Sequence, residues 1–253
     1  MSQILDFPDL IRLLDERTEA FRAAIAAAPD LGAPVPTCPE WTLFDLARHV
    51  GEGRRRWAAT VAAGPADTPP DASVWESEAP GERGALLSWL ADSKRILADA
   101  LREAGPDRGC WTWWDVSASP QTAGAVARHQ LQEVAVHTYD AQLTAGAPQP
   151  LPGEVALDGV DEFLATCCAG PYRWPYQPVA VDYQATEGRT WRLTLAADGV
   201  RVVEPDEAPA GASLRATASE LVLALYGRIP LAELKIDGDA GVFDLLLAWD
   251  PEE

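Results

Sequence analysis

Glu133 and His137 are the residues whose types and spacing point most directly to chemistry. They lie in the segment ARHQLQEVAVHTYDA, residues 127–141. On a helix, side chains four residues apart share one face, one turn above the other. A carboxylate and an imidazole placed in this way can bind the same metal ion. His129 lies four residues before Glu133 and is an alternative partner for the carboxylate, so the spacing alone leaves both pairs open.

The sequence around this pair predicts a helix. Gly146 and Pro148 supply a stop for it. Burying a polar group without a partner costs about 2 to 7 kcal/mol, so a polar pair on an inward face needs either a hydrogen-bonded partner or a metal. The helical rhythm of three and four residues is carried by Val126, Gln130, Glu133, Val136, His137, Asp140 and Leu143.

Composition and charge limit the kinds of partner. The chain has 253 residues, with 39 acidic and 20 basic side chains and a formal charge of −19. Such a surface repels phosphate groups, so we expect neither nucleic acid nor an anionic membrane as a partner. The N-terminus lacks the basic and apolar regions of a signal peptide, and no apolar run approaches the roughly 20 residues of a membrane span. We therefore expect a cytoplasmic protein.

Four helices are predicted before residue 147, over about residues 6–28, 42–61, 81–104 and 126–143. Helices of this length favour an antiparallel bundle, and bundles build metal sites from facing helices. His49 falls on the inward side of the second helix. A lone inward histidine is usually a hydrogen-bonded core residue, but together with the pair above it completes a set of two histidines and one carboxylate that zinc, nickel or iron accepts. The run Arg54, Arg55 and Arg56 is interpreted as a solvated face.

The second half of the chain has a different pattern. After a Pro-rich stretch at residues 148–152 and a predicted helix over 157–168, apolar and polar residues alternate. Together the two halves predict an α+β protein, with a helical bundle at residues 1–147 and a smaller α/β domain at residues 148–253. The alternation predicts a meander of strands at 179–185, 189–196 and 200–204, then a strand and a helix capped by Ser219, a strand at 234–238 and a helix at 239–249.

Three segments in this order resemble the mycothiol-dependent maleylpyruvate isomerase family. They are CPEWTLFDLARHVGEGRRRWAA, HQLQEVAVHTYDA and ASELVLALYGRIPLAELKIDGD. The resemblance covers nearly the whole chain. It implies a DinB-like four-helix bundle carrying a divalent metal, usually zinc, and a smaller C-terminal α/β domain with a sterol-carrier-like fold. One departure is Gln132, which stands where the family often has a histidine.

The resemblance also implies roles for individual residues. His49, Glu133 and His137 match the metal ligands of the family, which decides against His129. Arg228 matches a position that helps to bind the carboxylates of the substrate, whereas by itself it would be taken for a surface cation at a helix end. Asp140, three residues after His137, is expected to orient that ligand.

The expected function is that of a metal-dependent enzyme, an isomerase or a transferase of sulfur. Zinc would activate the thiol of mycothiol, the cosubstrate, for attack on a small anionic electrophile. Trp113 and Trp114, in the segment CWTWWDV, either pack on the bundle or line the cleft that receives the thiol. The alternatives are a metal hydrolase that activates water and a non-catalytic binding protein whose C-terminal domain holds an apolar molecule. The sequence leaves the oligomeric state open.

Overall fold

The structure is a computed structural model that describes residues 5–249. Within this range the chain forms two compact units, one of residues 5–115 and 120–151 and the other of residues 116–119 and 152–249. The first unit is helical and the second contains a five-stranded sheet, so the predicted α+β class is confirmed. Among the described residues, no helix combines the length and the apolar content that crossing a membrane requires.

Four long helices build the first unit, close to the positions that the apolar rhythm predicts. They are α1 (Phe7–Ala27), α2 (Leu43–Ala63), α3 (Arg83–Ala104) and α4 (Ala123–Thr144). As predicted, Asp6 caps α1, and Thr42 caps α2 in a capping box with Asp45. Helix α1 packs on α4 and α2 packs on α3 and α4. The buried core draws on side chains such as Phe21, Leu46, Leu90 and Val134.

The connection between α1 and α2 contains a short antiparallel hairpin. Strand β1 (Pro34–Val35) pairs with β2 (Cys38–Thr42). The sequence predicts only a Pro- and Gly-rich connection here, because a two-residue strand is too short to show alternation. The hairpin contacts α4, so the residues of its turn reach the helix that carries the predicted metal ligands.

Within its described residues, the second unit combines three α-helices with a five-stranded sheet. The predicted helix over 157–168 is present as α5 (Gly153–Phe163), which is followed by a π-helical turn at Leu164–Cys168. The helix α6 (Ala218–Leu225) is capped by Thr217 and not by the predicted Ser219, because the hydroxyl of Thr217 accepts from Glu220 N in a capping box. The elements are α5 (Gly153–Phe163), β3 (Val179–Ala185), β4 (Thr190–Ala196), β5 (Gly199–Val203), β6 (Ala212–Ala216), α6 (Ala218–Leu225), β7 (Lys235–Gly238) and α7 (Gly241–Ala248).

The strand order of the sheet is β5-β4-β3-β6-β7, and its first three strands form the predicted meander. The first three strands are joined by antiparallel hairpins as predicted, and Gly199 at the second turn has a φ of 135°. Strand β6, however, lies parallel to β3 instead of next to β5, and β7 is antiparallel to β6. Alternation identifies strands but not their neighbours, so the sequence leaves the places of β6 and β7 in the sheet open. On the buried face lie side chains such as Val181, Tyr183, Leu193 and Leu214.

Gly51 allows α2 and α3 to approach closely. A Cβ atom built at Gly51 would lie 1.9 Å from Cζ3 of Trp89 on α3. Trp89 is buried, and its indole Nε1 donates to Ser77 at 3.0 Å, so its ring has little freedom to move away. Gly53, two residues further along α2, would meet nothing within 4 Å.

We expect Gly51→Ala to lower the free energy of unfolding by about 1 to 3 kcal/mol, because overpacking forces the helix or the ring to shift. Gly53→Ala is the matched control and should raise it by about 0.5 to 1 kcal/mol through helix propensity. Urea denaturation of both variants measures the difference. Equal stabilities would contradict the close packing at Gly51.

Candidate metal centre

His49, Glu133 and His137 meet in the first unit. One ligand atom from each lies within 4.8 Å of the others. His49 Nε2 is 2.8 Å from Oε1 of Glu133, and His137 Nε2 is 3.3 Å from the same oxygen. Zinc with ligands at about 2.0 to 2.2 Å in tetrahedral geometry separates the ligand atoms by about 3.4 Å. The two nitrogens and one oxygen therefore fit a divalent metal with only small movements.

Helices α2 and α4 position the three side chains. His49 comes from α2, while Glu133 and His137 stand one turn apart on α4, as their spacing predicts. His129 lies elsewhere: its ring is 5.0 Å from that of Trp114 and 6.0 Å from that of Trp57. The structure thus brings together the three residues that the family resemblance selects and leaves His129 in an aromatic cluster.

The centre is open on one side. The side chain of His49 is 42% exposed and that of Glu133 is 26% exposed, whereas that of His137 is 8% exposed. A metal held by the three side chains would therefore face solvent on the side of His49. An open side is typical of catalytic zinc sites, which keep a position for a substrate, whereas structural zinc sites are closed.

The charges of the centre are strongly coupled. Burial would raise the pKa of Glu133, but His137 and the hydrogen bonds from both histidines hold it well below its usual range. Burial would lower the pKa of His137, yet Glu133 and Asp140 raise it to about 9. Without a metal, His137 is thus protonated at neutral pH. Metal binding must displace this proton.

Asp140 orients His137. It is fully buried, and its Oδ2 lies 2.8 Å from Nδ1 of His137. The other oxygen accepts from the hydroxyl of Thr37 at 2.6 Å, in the turn of the β1–β2 hairpin. With the Nδ1 proton held by a carboxylate, Nε2 is left to face the metal. The sequence predicts the role of Asp140, but Thr37 lies 103 residues away and no local pattern points to it.

Trp41 covers the two histidines. Its ring centroid lies 4.7 Å from that of His49 and 6.2 Å from that of His137. The ring belongs to β2 and is partly buried, so it restricts rotation of His49, the more exposed ligand. Sequence reasoning missed this residue. The signal that could have found it is its position directly before Thr42, the cap of the helix that carries His49.

Arg54 is buried and not on a solvated face as predicted. Its side chain is 1% exposed, and Nη2 donates to the hydroxyl of Thr18 at 2.9 Å. Nη1 has no hydrogen-bond partner within residues 5–249. Burial lowers the pKa of Arg54 to about 10, opposed by attraction to Glu133, so it remains a cation at neutral pH. Arg55 and Arg56 instead lie over the rings of Trp89 and Trp111.

The two tryptophans predicted to contact the thiol have different environments. Trp114 is 1% exposed, and its indole Nε1 donates to Pro120 O at 3.1 Å. Trp113 is 49% exposed and packs its ring edge-on against Trp114 and near His129. Residues 113–116 form turns. Trp113 is therefore the one of the pair that offers ring surface to a ligand.

Arg228 follows α6 in the second unit. It is half-buried, and its Nη1 donates to Tyr226 O at 2.7 Å. Gly227 precedes it with a φ of 70°, the usual left-handed end of a helix. This contact fixes the guanidinium near the end of α6, and its expected role towards substrate carboxylates stays a prediction.

We expect the protein, purified without a histidine tag and reconstituted with zinc, to hold about one zinc ion per chain. His137→Ala should lose it, because one of three ligands is removed. His129→Ala, a change of the same residue type on the same helix, should retain it. Elemental analysis after dialysis measures all three proteins. Zinc retained by His137→Ala would refute the assigned centre.

Asp140→Asn tests the orientation of the ligand. The amide oxygen of asparagine is a weaker acceptor than a carboxylate for the Nδ1–H of His137. We therefore expect zinc affinity to fall about 10- to 100-fold while the protein remains folded. Asp92→Asn, on the exposed face of α3, is the control and should bind zinc normally. Competition with a chromophoric chelator gives the affinities, and circular dichroism checks the helices. Unchanged affinity would show that Asp140 does not support the metal.

Comparison with known proteins covers both units. Residues 11–142 match the family model described as mycothiol maleylpyruvate isomerase N-terminal domain, and residues 154–245 match the one described as MDMPI C-terminal domain. A search of curated proteins gave no match.

Two solved structures are similar to the chain. One is the crystal structure of the mycothiol-dependent maleylpyruvate isomerase, with 16% identity and a TM-score of 0.59. The other is that of a histidine-to-alanine mutant of the mycothiol-dependent maleylpyruvate isomerase, with 15% identity and a TM-score of 0.60. Each match covers 95% of this chain and 98% of the chain in the solved structure. At this identity the likeness establishes the fold.

Proposed function

The chain belongs to the mycothiol maleylpyruvate isomerase family, and we propose that it is a metal-dependent enzyme that uses mycothiol to isomerise a small anionic substrate. The observation that carries the proposal is the convergence of His49, Glu133 and His137 at a centre open to solvent. Maleylpyruvate is the first substrate to test, because the matching family is described by it. Transfer of the sulfur to an electrophile is the closest related outcome.

The metal would be held by His49, Glu133 and His137, and we propose zinc. Two neutral imidazoles and one carboxylate are a common set of ligands for catalytic zinc. When bound, such an ion lowers the pKa of a thiol at its open position and so supplies a thiolate at neutral pH.

The protein side chains prepare this centre. Asp140 holds the Nδ1 proton of His137, so Nε2 is the nitrogen that loses its proton and faces the metal. The low pKa of Glu133 keeps its carboxylate ionised. Trp41 packs against His49 and shields one side of the centre from water.

The double bond of the substrate accepts the sulfur at the carbon β to a carbonyl, and the electron pair moves to the carbonyl oxygen. The carbon–carbon bond is then single and rotates. Loss of the same sulfur re-forms the double bond in the trans geometry, with the electron pair returning from oxygen. Thiol and electrons are conserved, so no redox partner is needed.

Arg228 and the tryptophans are proposed to bind the two reactants. A guanidinium can hold a carboxylate through two parallel hydrogen bonds, and Arg228 is assigned this role towards the substrate. Trp113, with half of its side chain exposed, offers a flat apolar surface to the thiol cosubstrate. Trp114 would act by supporting Trp113, since the two rings pack edge-to-face at 5.2 Å.

We expect conversion of maleylpyruvate to its trans isomer only when both mycothiol and zinc are present. Chelation should abolish turnover and added zinc should restore it, whereas His49→Ala should lower kcat/KM by more than about a hundredfold, because the metal is lost. Arg95→Ala, an exposed change on α3, is the control and should keep full activity. Absorbance of the substrate follows the reaction.

The same assay separates the alternatives. Turnover of an ester or amide without any thiol would instead identify a metal hydrolase. Tight binding of zinc and thiol with no turnover of any electrophile would identify a binding protein. Either result would overturn the proposed isomerase activity.

A further inference from the structure

The second unit contains an apolar cavity that the proposed function does not use. Its volume is about 230 Å³. The π-helical turn that follows α5, strand β3 and helices α6 and α7 all contribute side chains to it. The lining is mostly aliphatic and aromatic, as in sites for small molecules. Among its residues are Phe163, Cys168, Tyr183, Ala224, Phe243 and Leu247.

The π-helical turn shapes one wall of the cavity. Ala169 N donates to Leu164 O at 2.8 Å, which closes the wider turn of this helix type. Cys167 and Cys168 from this turn both line the cavity. Turns of this kind inside helices occur frequently at functional sites. The irregularity therefore falls where the end of the α5 segment borders the cavity.

The cavity is uncharged. Burial raises the pKa of Cys168 to about 12, and burial together with Glu162 also raises the pKa of Cys167. Both remain neutral thiols at physiological pH, which makes them poor nucleophiles and poor metal ligands. No Asp, Glu, Lys, Arg or His is among the described residues of the lining. A charged ligand would lose its hydration without gaining an opposite charge.

Tyr183 is the exception to the apolar character of the wall. Its side chain is 4% exposed, and within residues 5–249 its hydroxyl makes no hydrogen bond to the protein. Other buried aromatic polar groups in the unit are satisfied: the indole N–H groups of Trp174 and Trp191 donate to Gln177 O and Asp161. The hydroxyl of Tyr183 borders the cavity and is a donor that a ligand there can use.

From the cavity, its neutral lining and the hydroxyl of Tyr183, we propose that the second unit binds a small, uncharged, mostly apolar molecule with one hydrogen-bond-accepting oxygen. Tyr183 donates to that oxygen. Because a cavity of about 150 Å³ accepts benzene, this one suits a molecule of about eight to ten non-hydrogen atoms, such as an aryl or medium-chain ketone. Leu247, on α7, is 66% exposed and also lines the cavity, so it marks the entrance.

Two probes of the same shape test this proposal on the full chain. Acetophenone carries the acceptor oxygen, and α-methylstyrene replaces that oxygen with a CH₂ group. Titration calorimetry and ligand-observed NMR measure binding of each to the wild type and to Tyr183→Phe. We expect Tyr183→Phe to lower the affinity for acetophenone about tenfold, because one hydrogen bond is lost. The affinity for α-methylstyrene should stay unchanged.

A second variant tests the location of the site independently. Ala224→Leu, on α6, fills part of the cavity and should lower the affinity for both probes. Thermal unfolding confirms that each variant is folded. Absence of saturable binding to the wild type would overturn the proposal. So would equal effects of Tyr183→Phe on the two probes, or undiminished binding by folded Ala224→Leu. Thiol-dependent turnover is measured separately and does not enter this test.

Discussion

Asp140 is wholly buried inside a helical bundle, and a carboxylate in that position is stable only while hydrogen-bond donors surround it. His137 and Thr37 supply these donors. The requirement fixes the ring of His137 and with it the direction of Nε2. It also ties the β1–β2 hairpin to α4, which brings Trp41 over the histidines. Much of the geometry of the first unit therefore follows from the need to satisfy one acidic side chain.

The charges of the centre balance in a way that favours an anionic ligand. Glu133 and Asp140 each contribute one negative charge, and the buried guanidinium of Arg54 offsets one of them. A divalent ion at the centre would leave a net charge of about +1, counted over these groups with neutral histidines. A thiolate would neutralise it. On the surface, by contrast, the formal charge of −19 keeps bulky polyanions such as nucleic acids away.

The sequence predicted what depends on local spacing. Apolar rhythm and caps such as Asp6 and Thr42 located the four long helices, and alternation located the strands. The spacing of four indicated Glu133 with either His129 or His137, and the inward position of His49 suggested a third ligand. The family resemblance then decided against His129. Contacts between distant parts of the chain could not be predicted. Thr37 donates to Asp140 although the two residues are 103 positions apart. Strand β6 pairs in parallel with β3, and the periodicity of the sequence does not indicate which strands are neighbours. Arg54 was misjudged because a run of three arginines looks solvated, although only the fold decides which of them turns inward.

The hydrogen bond from Thr37 to Asp140 also has a consequence for folding kinetics. It joins residues of high sequence separation, so the entropy of closing a long loop must be overcome before it can form. His49 and Glu133, 84 residues apart, meet under the same restriction. A nascent or unfolded chain therefore offers at most the adjacent pair on α4 to a metal. The complete centre forms only once α2 has docked on α4. Binding of the ion therefore follows this docking and would stabilise the folded bundle.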